Sequence, residues 1–274
     1  MDSVRQGYLP GMPFPQPSIV RLADINLESY VYFGAGAAVA WQLADPRVGR
    51  GVARHSQTLT RPLSRLQATM NYIYAVSLGD DEDRAAIARH VNKAHRPVRG
   101  DGYNAFDPDA QLWVAATLYR GAVDMYQLFV GPLPDSSHEP LYQQARAFGR
   151  ILQVKDAQWP VDVDAFDAWW NARQSRLSVD EEVRSYFQAV LHGAAPWFLQ
   201  PALPLQRFVT RALLPPQLRA MFGMDWTAAD ERRWMRFQHW APRIYWAMPA
   251  ALRHLPANLA LRHMRRKRGT RITE

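Results

Sequence analysis

The sequence predicts an all-α protein built as a single globular domain of many helices. Three observations support this: capping residues followed by proline recur along the chain, apolar residues repeat at helical spacing, and alternating β-branched runs are nearly absent. With 274 residues, 48% of them hydrophobic, the chain can bury one large core. We expect a helical domain at residues 25–260, between a proline-rich arm at 1–24 and a basic tail at 261–274.

Capping signals divide the first half of the chain into five helices. Prolines at 10–17 oppose regular structure in the arm, and a first helix is expected at about 29–44. Asp45-Pro46 is typical of an N-cap with proline in the first turn, so a second helix should follow to about residue 57. A third helix is expected at about 62–78, and a fourth follows the polar stretch GDDED. The fifth should run from Asp107-Pro108 to Gly131-Pro132.

The second half is broken more often by proline. Ser178 with Glu181 three residues later fits a capping box, which predicts a helix at about 179–191. Prolines between residues 196 and 216 should separate short helices. The other helices are expected at about 139–152, 164–177 and 227–246, with a final basic helix after Pro256.

Composition limits the classes of function. The absence of cysteine excludes disulfides, thiolate nucleophiles, zinc–cysteine sites and iron–sulfur clusters. Six of the 33 Lys and Arg residues lie in the tail, which leaves a net charge of +3 out of +8 on the rest. We expect a solvated tail that makes at most a weak contact with anionic membranes, no nucleic-acid partner, and a cytoplasmic protein without a secretory or membrane-spanning segment.

Familiar catalytic motifs are weak or missing. Gly34-x-Gly36-x-x-Val39 resembles a dinucleotide-binding loop, but no acidic residue lies about twenty positions later in a second strand, and no strand–helix alternation follows, so close helix packing explains the glycines better. No G-x-S-x-G elbow occurs, which argues against a serine hydrolase. His90 and His95 are five residues apart, on diverging helix faces, which disfavours a zinc hydrolase.

Two polar doublets are more informative, because the members of each lie four residues apart: Arg65 with Thr69, and His95 with Arg99. His95 lies about 80° from the centre of the apolar stripe on its helix, at the edge of the buried face. Pro97 is expected to bend or end that helix just after His95. Such a histidine can ligate a metal, and a nearby arginine can pair with a carboxylate, although the pattern alone favours an ordinary packed histidine.

Several short motifs follow one another in order between about residues 30 and 225. They are Trp41-Gln42-Leu43-Ala44-Asp45-Pro46, His55-Ser56, Pro62-x-x-Arg65-Leu66-x-x-Thr69, His95-x-x-Val98-Arg99-Gly100, Leu112-Trp113-Val114-x-Ala116-Thr117-Leu118, Gly131-Pro132-Leu133 and Leu214-Pro215-Pro216. As an ordered set they resemble the MpaB and latex-clearing-protein family of haem-dependent rubber oxygenases.

This resemblance implies an all-helical fold that encloses a pocket for a non-covalent b-type haem, and an oxidoreductase that cleaves carbon–carbon double bonds of isoprenoid chains with O2. By resemblance, His95 is the ligand of the haem iron and Arg99 a further haem-binding residue. Arg65 and Thr69 are the catalytic pair near the opposite haem face, where Arg65 can also bind the cofactor. The expected substrate is a small apolar alkene.

Three positions depart from the family pattern. Many members read Ala-His-Pro where this chain has Asp45, and Trp-Val-His-Ala-Thr-Leu where it has Ala115. Rubber-cleaving members have a lysine at the position of Ala68. These departures leave two alternatives open: a haem-binding protein without oxygenase turnover, and a haem-free helical protein that binds a lipid or a partner.

Overall fold

A computed structural model describes residues 18–193 and 200–270, with side chains to residue 266. The described residues are mostly helical, as the sequence predicts. The α-helices are α1 (Leu22–Leu27), α2 (Ala35–Leu43), α3 (Pro46–His55), α4 (Pro62–Leu78), α5 (Asp81–His95), α6 (Pro108–Phe129), α7 (Asp135–Ile151), α8 (Val163–Gln174), α9 (Glu181–His192), α10 (Leu203–Leu213), α11 (Pro216–Met221), α12 (Ala228–Ala247), α13 (Ala250–Arg253) and α14 (Leu255–Thr270).

Helix α6 forms the centre of the core. It begins after Asp107, whose side chain accepts hydrogen bonds from the backbone N–H groups of Asp109 and Ala110, and it buries residues on most of its surface. Helices α1, α2, α7 and α12 pack around it. Trp113 is fully buried there, and its indole N–H donates to the carbonyl oxygen of Trp41 on α2 at 2.9 Å.

The predicted capping signals mark most helix starts correctly. Asp45 and Thr227 cap α3 and α12, and α4 has the bounds expected for it. One cap was wrong: the side chain of Asp180, rather than Ser178, accepts the hydrogen bond from Val183 N–H that starts α9. The backbone N–H of Ser178 instead donates to the carbonyl oxygen of Ala44, which ties this loop to the end of α2.

The first predicted helix consists of two elements. Residues Ser29–Gly34 form a 3₁₀ helix, and α2 follows at Ala35. A side chain at Gly34 would come within 2.9 Å of Met125 on α6, and one at Gly36 would overlap Thr210 on α10. Close helix packing therefore explains both glycines, as predicted.

Some helix bounds and a short hairpin differ from what the sequence predicts. Helix α1 lies across the boundary predicted at residue 25, and α7 begins four residues earlier than expected, with Pro140 in its second turn. Strands β1 (Arg99–Gly100) and β2 (Tyr103–Asn104) form a two-residue antiparallel hairpin after α5. Most of the predicted arm, and Pro196, lie outside the described residues. Within the described ranges, no helix is both long enough and apolar enough to cross a membrane.

Candidate functional site

Helices α4 and α5 form an antiparallel pair in which Arg65 and His95 lie at about the same distance from the turn that joins the helices. Only Gly79 and Asp80 separate the two helices, and Asp80 caps α5 through the backbone N–H of Asp83. Arg65 lies 14 residues before Gly79, and His95 lies 15 residues after Asp80. At a rise of about 1.5 Å per residue, both are about 21 to 23 Å from the turn. The end of the pair farthest from the turn therefore carries both predicted site residues.

The apolar stripes of these helices become exposed toward the same end. Met70 on α4 and Ile87 on α5 are buried, whereas Leu66 is 37% exposed and Ala94 is also exposed. Helical spacing predicts that Leu66 and Ala94 continue these buried stripes, but the structure exposes both. Exposed apolar side chains beside polar ones are typical of a surface that binds an apolar group. The exposed large apolar residues around this end are Leu59, Leu63, Leu66 and Phe106.

His95 ends α5 with one ring nitrogen buried and unpartnered. Its Nδ1 atom is inaccessible to water and has no hydrogen-bond partner, while Nε2 makes no hydrogen bond to a described residue and is not among the buried atoms. The ring of Phe106 meets the imidazole edge to face, with the centroids 6.1 Å apart. Burial and, second, the charge of Arg65 lower the pKa of His95 below 6.5. The imidazole is therefore neutral at pH 7, as a ligand to iron must be.

Arg65 and Thr69 form a hydrogen-bonded pair on α4, as their spacing predicts. Arg65 Nη1 donates to Thr69 Oγ1 at 3.0 Å, and the threonine hydroxyl donates to the carbonyl oxygen of Arg65 at 3.1 Å. The guanidinium is accessible to water, yet the protein around it desolvates it and lowers its pKa; Tyr186 on α9 acts in the opposite direction. An exposed cation without an acidic partner among the described residues is suited to an anionic or oxygen ligand.

Arg99 does not share a helix with His95, contrary to the prediction. Pro97 ends the helix, as expected, because it lacks the N–H group that would continue the ladder. Val98 N–H then bonds the carbonyl oxygen of His95, and Arg99 falls on the exposed strand β1. The structure therefore brings Arg65, Thr69 and His95 together on two helices and places Arg99 on the adjoining hairpin.

Three polar contacts hold the end of α5 and the adjoining hairpin in place. Gln153, in a left-handed backbone conformation with φ of 64°, donates from Nε2 to Asn92 Oδ1 at 2.7 Å and accepts from Gln111 Nε2 at 3.2 Å. On the other side, the hydroxyl of Tyr103 on β2 is 3.0 Å from His55 Nε2 on α3. The hairpin and the last turn of α5 are thus fixed to three other helices or loops.

Three residues at the site were not predicted from the sequence: Phe106, Tyr186 and Gln153. Phe106 directly precedes the Asp107-Pro108 cap, so its place after the helix that ends at His95 could have suggested it. Tyr186 and Gln153 are distant in sequence and reach the site only through tertiary packing. No local pattern marks them.

The three positions that depart from the family pattern lie in different surroundings. Asp45 is buried and pairs with Arg173 at 2.6 Å and Arg47 at 3.0 Å, besides capping α3. Ala115 is fully buried within α6, and Ala68 lies between Arg65 and Thr69 on α4. None of the three supplies a nitrogen ligand.

The described residues contain no group of three or more His, Asp or Glu residues arranged to hold a metal ion. A metal at His95 would therefore need to bring most of its ligands with it. Haem iron does this, since the porphyrin supplies four nitrogens and the protein one or two axial ligands. The donor set of this end of the helix pair fits haem better than a bare metal ion.

The family of this chain is indicated by its similarity to known proteins. Residues 24–243 match a family described as ER-bound oxygenase mpaB/B'/rubber oxygenase, catalytic domain. The chain is similar to uncharacterized protein Rv2237 of Mycobacterium tuberculosis and to uncharacterized protein Mb2261 of Mycobacterium bovis. Each is 39% identical over 208 residues, which covers 72% of this chain and 82% of the relative. No solved structure shows a significant match.

Proposed function

This chain belongs to the family of MpaB and rubber oxygenase catalytic domains, and from that premise we propose that it is a haem b-dependent oxygenase acting on an apolar alkene with O2. An isoprenoid is the proposed substrate class. The observation that carries the proposal is His95, a neutral histidine at an open, partly apolar end of a helix pair, beside a partly desolvated arginine.

The residues present fit a haem group. His95 would hold the iron through Nε2, the accessible nitrogen, while Nδ1 faces the protein. The exposed side chains of Leu63, Leu66 and Phe106 offer apolar surface for a porphyrin. Arg99, and alternatively Arg65, would pair with its carboxylates. Bound haem would supply the oxygen chemistry that the amino acids lack.

Arg65 and Thr69 are the proposed catalytic residues. The hydrogen bond between them fixes the direction of the guanidinium, so that its remaining N–H groups can donate to dioxygen or to a carboxylate on the open side. The guanidinium of Arg65 is cationic, so a hydrogen bond from it is charge-assisted and stronger than one from a neutral donor. The neighbouring apolar side chains would orient the alkene and exclude water.

A second candidate function is haem binding without oxygenase turnover. It is favoured by the side chains at Asp45, Ala115 and Ala68, where relatives of the family carry histidine or lysine and this chain has an ion-paired carboxylate and two methyl groups. A haem-free role in binding lipids or another partner is the third candidate. The three functions differ in haem content and in oxygen consumption.

The test starts with haem content. We expect the wild-type protein, expressed with added haem, to show a Soret band, and the His95→Ala variant to lose it. The matched control is His90→Ala, because His90 is exposed on the same helix and should leave the spectrum unchanged. An unaltered haem content in His95→Ala would show that the ligand assignment is wrong, and no Soret band in any variant would favour the haem-free role.

Turnover is tested by oxygen uptake with a panel of short isoprenoids. We expect uptake by the wild-type protein and a loss of 10²-fold or more, on the order of one lost donor to a reacting oxygen, in Arg65→Met. Haem content measured in the same sample separates a catalytic role of Arg65 from a role in holding the cofactor. A Soret band with no uptake on any member of the panel would support haem binding without turnover.

A further inference from the structure

Helices α12 to α14 carry many large apolar side chains that are exposed to solvent. These side chains point away from the core, and we call the surface that they form the C-terminal apolar face. Trp240 is 58% exposed, Ile244 64%, Leu252 58% and Leu259 53%. Half of the exposed large hydrophobic residues among those described belong to this face, which comprises Met235, Trp240, Ile244, Met248, Leu252, Leu255 and Leu259.

The same stretch of chain is strongly cationic. Residues 232–273 contain eleven Lys and Arg and no Asp or Glu, so the remainder of the protein has a net charge of −3. The positive charge therefore begins at α12 and is not confined to the tail at 261–274. Arg232, Arg236 and Arg262 are exposed and make no ion pair with a described residue. Arg232 and Arg236 line a shallow groove together with Met235 and Trp240.

The opposite side of these helices is firmly packed. Tyr245 is buried and donates from its hydroxyl to Glu28 Oε2 at 2.7 Å, and Arg253 pairs with the same carboxylate at 2.7 Å. On α14, Ala257 is buried against α4, and Arg265 pairs with Asp83 at 3.1 Å. The exposed apolar residues thus belong to helices anchored in the fold, and their outward direction is a fixed property of the surface.

We propose that the C-terminal apolar face docks on the surface of an anionic lipid bilayer, with its helices in the plane of the interface. Surface-bound helices combine an apolar face with flanking arginine and lysine, and tryptophan is favoured at the boundary between hydrocarbon and headgroups. The cations would contact lipid phosphates and carboxylates, and the Leu, Ile and Trp side chains would enter the upper acyl region. No membrane-spanning helix in the described residues is needed.

Other occupants fit the surface less well. A second copy of the chain would place two strongly cationic surfaces opposite each other, which costs free energy. A nucleic acid or another soluble polyanion would pair with the arginines but would leave the aliphatic side chains without a partner. Only a bilayer with anionic headgroups satisfies both halves of the surface.

Helix α14 packs along α4, the helix that carries Arg65 and Thr69, and it contacts α5 as well. Ala257 packs with Met70 and Tyr74, and Arg265 pairs with Asp83 beside the turn, so α14 covers the part of the helix pair nearer the turn and leaves the end that carries Arg65 and His95 uncovered by these contacts. The docking itself does not depend on haem, so it can be tested whether or not the proposed oxygenase function holds.

The test is co-sedimentation of the full chain with vesicles of phosphatidylcholine alone and with about 30% phosphatidylserine. We expect binding to the anionic vesicles that weakens with added salt, and little binding to the neutral ones. Replacing Arg232, Arg236 and Arg262 with Gln should weaken binding by on the order of 100-fold, at about fivefold per cation. The matched charge control is Arg61→Gln, Arg89→Gln and Arg176→Gln together, three exposed arginines outside the face, and it should bind like the wild type.

The contribution of the apolar side chains to docking is tested by a triple variant that combines Ile244→Ser, Leu252→Ser and Leu259→Ser. We expect this variant to bind anionic vesicles at least about tenfold more weakly, because three side chains no longer leave water. Ile19→Ser, Val161→Ser and Leu205→Ser, which alter exposed apolar residues elsewhere, should bind like the wild type. Equal binding by the two triple variants would overturn the proposal, as would a dimer in sedimentation velocity that the apolar-face variant dissociates.

Discussion

Two polar clusters in this protein use their charges in opposite ways. In the acid–arginine cluster, which joins Asp45, Arg47, Asp107, Asp109 and Arg173, every carboxylate has an arginine partner at 2.6 to 3.0 Å. At the Arg65–His95 site, the guanidinium binds only a threonine hydroxyl within the described residues, and the buried nitrogen of the imidazole has no partner.

The pKa directions follow from this difference. Burial alone would raise the pKa of Asp45, but hydrogen bonds and charges from Arg47 and Arg173 outweigh it and hold the pKa below its usual value. At the other site burial dominates, and the pKa values of both Arg65 and His95 are lowered. A cluster with paired charges stabilises the fold, whereas unpaired groups of lowered basicity favour binding of a ligand.

Breaking the acid–arginine cluster should have the largest effect. Arg173→Leu removes a buried cation and leaves the buried carboxylate of Asp45 with Arg47 alone, so we expect a loss of about 3 kcal/mol in the free energy of unfolding. Urea denaturation measures this. The control is Arg150→Leu, which breaks an exposed pair with Asp156 and should cost less than about 1 kcal/mol.

The pH dependence of stability shows whether Arg173 stabilises the fold through its ion pairs or through its packing. A carboxyl whose pKa is lowered by folding contributes stability above its usual pKa of about 4 and loses it as the pH falls through the folded value. The wild type should therefore lose stability as the pH falls below about 4, and Arg173→Leu should lose less over the same interval. Parallel pH profiles would show that Arg173 acts through packing alone.

Asp124 on α6 is less well paired than the carboxylates of the acid–arginine cluster, but it does have a cationic neighbour. It lines a narrow cleft with Trp41 and Thr117, and its ion pair with Arg120 is a loose contact of 3.6 Å. Burial raises the pKa of Asp124 to about 6, and the charge of Arg120 offsets this only in part. The carboxylate therefore destabilises the folded state once it ionises.

Asp124→Asn should stabilise the protein at pH 8 by about 1 to 3 kcal/mol and leave it nearly unchanged at pH 4. The reason is that a group whose pKa is raised by folding contributes stability at low pH and loses it as the pH rises through about 6. Thermal unfolding at the two pH values measures the gain. Asp101→Asn, in an exposed loop, should give none, and an equal gain in both variants would exclude burial as the cause.

The smallest effect is expected at the Arg65–His95 site. Arg65→Gln removes the positive charge near His95, so the pKa of His95 should rise toward its usual value of about 6.5 while stability changes by less than about 1 kcal/mol. An NMR titration, with the His95 signal assigned by its absence in His95→Ala, measures the shift. Arg61→Gln, one turn earlier and exposed, is the control, and an unchanged pKa in Arg65→Gln would mean that the two side chains do not interact.

Local signals determined how far the sequence could predict the fold. Asp45-Pro46 and Asp107-Pro108 predicted the starts of α3 and α6 because a cap acts within three residues of itself. Ser178 and Asp180 both precede α9, and only tertiary contacts select between them: the backbone of Ser178 bonds Ala44, and Asp180 caps the helix and pairs with Arg50. The β1–β2 hairpin is too short to have a recognisable strand pattern.

The candidate site was predictable in part for the same reason. The spacing of Arg65 and Thr69 gives a real hydrogen bond, because both lie on one regular helix. The same spacing of His95 and Arg99 does not place them on one helix, because Pro97 ends the helix between them. Tyr186 and Gln153 come from distant parts of the chain, and only the folded structure brings them to the site.

The measurement that tests the account most directly is a haem titration of the purified apoprotein, followed by the Soret band, with wild type, His95→Ala and His90→Ala compared at pH 7. We predict saturable binding at one haem per chain for wild type and His90→Ala, and its loss in His95→Ala with a change in unfolding free energy below about 1 kcal/mol. Saturable binding by His95→Ala with an unaltered spectrum would contradict the assignment of the Arg65–His95 site.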